Sequence, residues 1–112
     1  MDLGATPKRG EVWRVRLDPT PGSEIRKTRP CLVLSTDVLN RHRRTVVAIP
    51  LSTSPEATPP LLVPIRCAGR SLVAVVDQVR ALARERLEAR LGSISREHLE
   101  AVEEALRQIL EL

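Results

Sequence analysis

Gly22-Ser23-Glu24-Ile25-Arg26-Lys27-Thr28-Arg29-Pro30-Cys31-Leu32-Val33-Leu34-Ser35 joins a cationic segment directly to an apolar run. Its first half carries Arg26, Lys27 and Arg29 against one carboxylate, Glu24, a charge density that a small domain does not need for folding. The second half has the length and continuous apolar character of a buried strand. The stretch therefore sets positive charge rigidly against a sheet. Arginine suits the capture of an anion there, because its planar fork can hold two phosphate oxygens at once.

Upstream, Arg9-Gly10-Glu11-Val12-Trp13-Arg14-Val15-Arg16-Leu17 alternates as a strand does, with Trp13, Val15 and Leu17 on one face, Arg14 and Arg16 on the other, and Val12 out of phase. Asp18-Pro19-Thr20-Pro21-Gly22 ends that strand with strong turn chemistry. The connection over 18–29 is long for a compact domain, and loops of that length are usually functional or disordered. Downstream, the pattern predicts strands at 30–36, 45–51, 61–67 and 72–82. Pro50 suggests an edge position or an early end. A basic connecting segment, Asn40-Arg41-His42-Arg43-Arg44, precedes the second of these strands, and a Ser/Thr/Pro-rich loop over 52–60 follows it. Residues 68–71 read as a turn. The segment 81–90 is helical by propensity, but a short turn followed by a last strand fits as well. Ser95 is the expected N-cap of a final helix with Glu97 in its first turn, and Leu99, Val102, Leu106, Ile109 and Leu110 form its apolar stripe.

The chain of 112 residues is long enough for one core, so a single domain over 1–112 is expected, with 1–7 as a flexible tail. Hydrophobic residues at 42% and charged residues at 29% give a globular, not a disordered, composition. Apolar runs are too short to span a bilayer, and the N-terminus lacks an apolar signal core, so no membrane role is expected. Cys31 and Cys67 sit in apolar strand-like contexts and read as reduced core residues, which implies a cytoplasmic protein. Residues 1–80 hold 13 Lys/Arg against 7 Asp/Glu, a net of +6, whereas residues 81–112 hold 5 against 7, a net of −2. An arginine-rich body with cations clustered at 26–29 and 41–44 points to nucleic acid as partner.

Four pieces, in order, resemble the MazF/PemK toxins, the endoribonuclease half of bacterial toxin–antitoxin pairs. They are Arg9-Gly10-Glu11-Val12-Trp13; Asp18-Pro19 followed by Gly22-Ser23-Glu24 and Arg29-Pro30; Val47-Ala48-Ile49-Pro50-Leu51-Ser52; and Asp77-Gln78-Val79-Arg80. The resemblance implies a mainly β fold with a C-terminal helix, a small SH3-like barrel of the MazF/Kid/CcdB type, assembled as a homodimer. It also favours turn plus strand over helix at 81–92. The implied activity is metal-independent, sequence-selective cleavage of single-stranded RNA, including mRNA, with no cofactor. The implied partner is an acidic, MazE-like antitoxin.

Such cleavage needs a 2′-OH that loses its proton and attacks phosphorus, a 5′-oxygen that gains one, and stabilisation of charge on the phosphoryl oxygens. By resemblance, Arg29 matches the family's catalytic arginine, and Ser52 stands at its catalytic threonine, with Thr53 the substitute if the register slips by one. Glu24 either accepts the 2′-OH proton or orients Arg29. Arg26 and Lys27 track the RNA backbone. Asp77 resembles an aspartate that some relatives use as a base, but those relatives also carry an arginine where this chain has Val75 and a histidine where it has Ser23. Asp77, Gln78 and Arg80 are therefore expected to shape the binding surface, with Arg80 pairing with Asp77 or lying near RNA. His42 and His98 read as surface residues and Trp13 as core. No zinc-ligand spacing is present. Two other readings stay open: a gyrase poison of the same fold, disfavoured because the chain ends Ile109-Leu110-Glu111-Leu112 without a tryptophan, and a catalytically inactive RNA- or antitoxin-binding module.

Overall fold

A computed structural model describes residues 6–17, 27–53 and 56–112, with Lys27 described by its backbone alone. The alternating segment forms β1 (Glu11–Leu17) and the central apolar run forms β2 (Lys27–Val33). They pair antiparallel, with Trp13 opposite Cys31 and Val15 opposite Arg29. β2 begins earlier than its apolar residues indicate, because β1 extends to Leu17 and offers a ladder partner as far as Lys27. Arg29 is therefore a strand residue and not the end of a loop.

β3 (Thr45–Ser52) is the strand on which the architecture turns. It pairs with β2 through Val33↔Ala48 and Cys31↔Pro50, and then with β5 (Arg70–Val75) through Leu51↔Ala74 and Ser52↔Val73. Pro50 is fully covered in this strand and does not mark an edge. The β2 ladder ends at this residue, and on the other edge β3 pairs with one strand up to Ala48 and with β5 from Leu51, so Pro50, without an N–H, stands where the pairing changes. Ser52, expected in a loop, is the last residue of the strand.

β4 (Leu62–Cys67) and β5 make a hairpin whose turn is Ala68-Gly69, both at positive φ. The expected single strand over 72–82 is broken in two. Val76–Gln78 form a 3-10 turn, and β6 (Arg80–Ala83) then pairs with the first half of β3. The break follows from Val76, which is wholly buried and turns the chain inward beneath the final helix. A second 3-10 turn, Arg84–Arg86, leads into β7 (Leu87–Ser93), which pairs with β1 through two register shifts. The segment 81–90 is thus turn and strand, not helix. The path of paired strands runs β4-β5-β3-β2-β1-β7 with β6 on β3, and among the described residues no ladder closes it.

The final helix is α2 (Arg96–Leu110), capped by Ser95 Oγ, which accepts from His98 N at 3.1 Å. Val102 and Ala105 are buried, and Leu99, Leu106 and Ile109 pack against the core, but Leu110 is 52% exposed because the last turn runs past the sheet. His98 is only half-exposed, and its Nδ1 accepts from Arg66 N at 3.2 Å, tying the helix to β4.

Two apolar clusters form on opposite faces of the β1-β2-β3 sheet. Val12, Leu32, Ile49 and Leu51 lie on the α2 side, and Trp13, Val15, Cys31, Val33, Val46 and Leu82 on the other. The out-of-phase Val12 is explained: the sheet is covered on both faces at that point, so neighbours in sequence are both buried.

The basic segment at 40–44 is not a plain connector. A short helix, α1 (Asp37–His42), occupies it, capped by Thr36. Its Asn40 is fully buried. Asn40 Nδ2 donates to Ser35 O at 3.1 Å, Asn40 Oδ1 accepts from Ser35 Oγ, and that hydroxyl in turn accepts from Val47 N at 2.9 Å. Asn40→Ala strips partners from buried polar groups and should destabilise the fold by about 1–3 kcal/mol. Urea unfolding followed by circular dichroism measures the loss.

Candidate active site

Arg29 reaches its place because β2 is held on both sides, by β1 at Val15 and by β3 two residues further on at Cys31. Carrying the Cys31↔Pro50 register onward by two residues brings Arg29 level with Ser52, and two-residue alternation puts both on the face that carries Cys31. Ser52 is half-buried and Thr53, just beyond the strand, is exposed. Arg80 opens β6 opposite Ala48 on the other side of β3.

Cys31 reports how these groups converge. Burial pushes its thiol up to about 11, while the positive charges of Arg80 and Arg29 both pull against that rise. Both guanidinium groups therefore act on the same buried sulfur. The thiol stays protonated near neutrality and is not a nucleophile. Burial likewise raises the Cys67 thiol, against the charge of Arg90.

Neither Arg29 nor Arg80 forms an ion pair with a described residue. The expected Arg80–Asp77 pair is not made. Asp77 and Gln78 are exposed on the 3-10 turn between β5 and β6. Two guanidinium groups without carboxylate partners, both felt by one thiol, form a local excess of positive charge that favours an anion nearby. Glu24 and Arg26 lie outside the described residues, as does the Lys27 side chain.

Other residues of the segments that carry the family resemblance hold structure. Arg9 clamps α2 to the end of β2, its guanidinium pairing with Glu103 and donating to Leu34 O, while its N–H donates to Asp37 Oδ1 at 2.9 Å. Gly10 takes φ +90°, which an L side chain rarely adopts. Glu11 accepts from Lys8 N and Trp13 Nε1, both at 2.9 Å, and pairs with Arg90 at 2.9 Å. Trp13 is thus a core anchor with its N–H satisfied, and not a stacking platform. His42 bonds back to its own helix, with Nδ1 at 2.9 Å from Val38 O. That Arg80 acts on the same thiol as Arg29 was not readable in the sequence, since it depends on β6 pairing with β3.

A profile of the family described as PemK-like, MazF-like toxin of type II toxin-antitoxin system matches residues 8–110. The endoribonuclease MazF9 of Mycobacterium tuberculosis is 32% identical over 114 residues, covering 94% of this chain and 97% of its own. The crystal structure of MazF from Deinococcus radiodurans superposes with a TM-score of 0.83 at 26% identity, over 97% of this chain and 100% of its own. A mycobacterial endoribonuclease in complex with its cognate antitoxin superposes with a TM-score of 0.77 at 27% identity, over 96% and 95% of the two chains. The chain belongs to the PemK-like, MazF-like toxins of type II toxin–antitoxin systems, and its fold is that of the MazF toxins.

The Cys31 thiol sets a pH signature for this site. Its folded pKa of about 11 lies above the ordinary 9.0, so its contribution to stability is full below pH 9 and is lost as pH rises through 11. The urea midpoint should fall between about pH 8 and about pH 10.5, and should fall less in Cys31→Ala. Equal losses in the two proteins would contradict the buried, neutral thiol.

Proposed function

We propose that this chain is the endoribonuclease toxin of a type II toxin–antitoxin pair, cutting single-stranded RNA, including mRNA, and so arresting translation and growth. The observation that carries the reading is the pair of guanidinium groups, Arg29 and Arg80, that act on Cys31 and have no carboxylate partners among the described residues, with the Ser52 hydroxyl on the continued register of Arg29. The naming of relatives such as MazF9 as endoribonucleases supports it.

In this reading Arg29 grips the scissile phosphate and neutralises charge that grows on its oxygens. Ser52, or Thr53 beside it, donates its hydroxyl to a phosphoryl oxygen. The neighbouring ribose 2′-OH attacks phosphorus, the P–O5′ bond breaks, and the products are a 2′,3′-cyclic phosphate and a 5′-OH end. DNA lacks that nucleophile and survives. Guanidinium hardly gives up a proton near neutrality, so Arg29 acts by position and charge. Glu24 takes the 2′-OH proton or orients Arg29. Arg26 and Lys27 follow the backbone, Arg80 adds charge beside the phosphate, and Asp77 and Gln78 border the bound strand. A homodimer is the working form, and an acidic antitoxin lying across the arginine-lined surface blocks it, a reading supported by the antitoxin complex of the mycobacterial neighbour. No helix of the described residues is long and apolar enough to cross a membrane, and the cytoplasm is the proposed site of action.

The test incubates purified protein with single-stranded RNA in EDTA and maps the new ends. Cuts leaving 5′-OH termini are expected, and intact RNA overturns the proposal. Arg29→Ala should lower the cleavage rate by about 100- to 1000-fold with the circular dichroism spectrum unchanged. Ser52→Ala should cost about 10- to 100-fold and Ser52→Thr should retain activity. Full activity in Ser52→Ala would move the hydroxyl role to Thr53.

A further inference from the structure

The arginines of the described residues do not share one electrostatic fate. Arg9, Arg14, Arg90 and Arg107 each pair with a glutamate, on the side of the molecule built from β1, β7 and α2. Arg41, Arg43, Arg44, Arg80 and Arg84 pair with no described carboxylate, as is also true of Arg16, Arg29, Arg66, Arg70 and Arg96 elsewhere on the surface. What sets four of them apart is position: the β3–β6 pairing brings Arg80, Arg84 and Arg44 to one margin, with Arg43 next to Arg44. Ala48 faces Arg80, Thr45 faces Ala83, and just past the ladder Arg84 N donates to Arg44 O at 2.8 Å. Alternation along β6 places Arg80, Leu82 and Arg84 on one face with their partners Ala48, Val46 and Arg44. Leu82 and Val46 are buried, so the cations mark the two ends of the row. Arg43, Arg44 and Arg80 are exposed and Arg84 is half-buried. The outer edge of β6 carries no ladder among the described residues. From Arg80 to Arg84 the strand advances about 13 Å at its usual rise.

We propose that this β6 margin, marked at its far end by Arg43, Arg44 and Arg84, holds the sugar–phosphate backbone of the RNA strand away from the scissile phosphate. The proposal rests on the ribonuclease reading above and adds the path of the flanking nucleotides. Crowded guanidinium groups without counter-charge repel one another, and a polyanion running past them relieves that repulsion. A phosphodiester backbone repeats its charge along its length, as the margin does from Arg29 and Arg80 to Arg44 and Arg84. The contacts read no base, so they lend affinity without sequence preference. A different role for such residues is to guard an open sheet edge against self-association, and a different anion is an acidic polypeptide.

The experiment measures binding of a labelled, 2′-O-methylated single-stranded RNA of about 20 nucleotides, which cannot be cut, as a function of salt. Each lost phosphate contact lowers the slope of log affinity against log salt by about 0.7. R43Q/R44Q should therefore lose about 1.4 from the slope and R43Q/R44Q/R84Q about 2. Between 50 and 200 mM salt the triple variant should weaken roughly 20-fold less than the wild type. Wild-type slopes in folded variants overturn the proposal. So do wild-type slopes with new self-association in light scattering, which assign the arginines to edge protection, and wild-type slopes with weakened poly-glutamate binding, which assign them to an acidic polypeptide. A wild-type protein that binds RNA and shows the slope change, but leaves unmodified RNA whole, sinks the ribonuclease reading and leaves the margin standing. A wild-type protein that binds no RNA overturns both.

Discussion

β3 has more partners than a single strand can hold at one level, and the rest of the structure follows from how it divides them. Its first half pairs with β6, its middle with β2 and its last residues with β5. Such sharing needs a place where one ladder stops, and Pro50, with no N–H to offer, stands there. The ladder with β2 ends at that residue, and Ser52 closes the strand on the continued register of Arg29. Arg80 arrives from the opposite edge of the same strand. The candidate site is therefore a consequence of one strand's divided pairing, and not of a dedicated loop.

Glutamates on β1, β7 and α2 pair with Arg9, Arg14, Arg90 and Arg107, and the Arg9, Arg14 and Arg90 pairs join separate segments of the chain. Arg9 shows the pattern most fully, since one side chain joins α2 to the end of β2 and its own N–H reaches α1. Exposed pairs of this sort contribute little individually. The arginines around β3 and β6 meet no such partner among the described residues. Electrostatic strain left in a folded surface in this way is a resource for binding an anion.

Several elements are legible in the sequence, because they rest on local chemistry. The Trp13, Val15, Leu17 alternation, the Ser95 cap and the apolar stripe of α2 depend on residues near one another in sequence. The break at Val76–Gln78 did not announce itself, because a run of apolar residues reads as one strand whether or not it turns inward. Pro50 was misleading for a related reason: a missing N–H marks an edge only where no exchange of partners can hide it. The helix at Asp37–His42 was missed because its anchor, Asn40, is polar, and its burial is stabilised by Ser35 and not by apolar packing.

Taken alone, the chain of residues determined a mainly β domain ending in a helix, a basic surface, reduced cysteines and membership of a toxin family, since composition, periodicity and ordered motifs are carried along the backbone itself. Only the tertiary structure decided that Arg29 lies within a strand, that Arg80 shares its buried neighbour Cys31, and that Arg44 and Arg84 are joined by a backbone hydrogen bond. Those relations depend on strand register. Register is set by how two apolar faces of one sheet are buried at once, a condition that no local stretch of sequence contains.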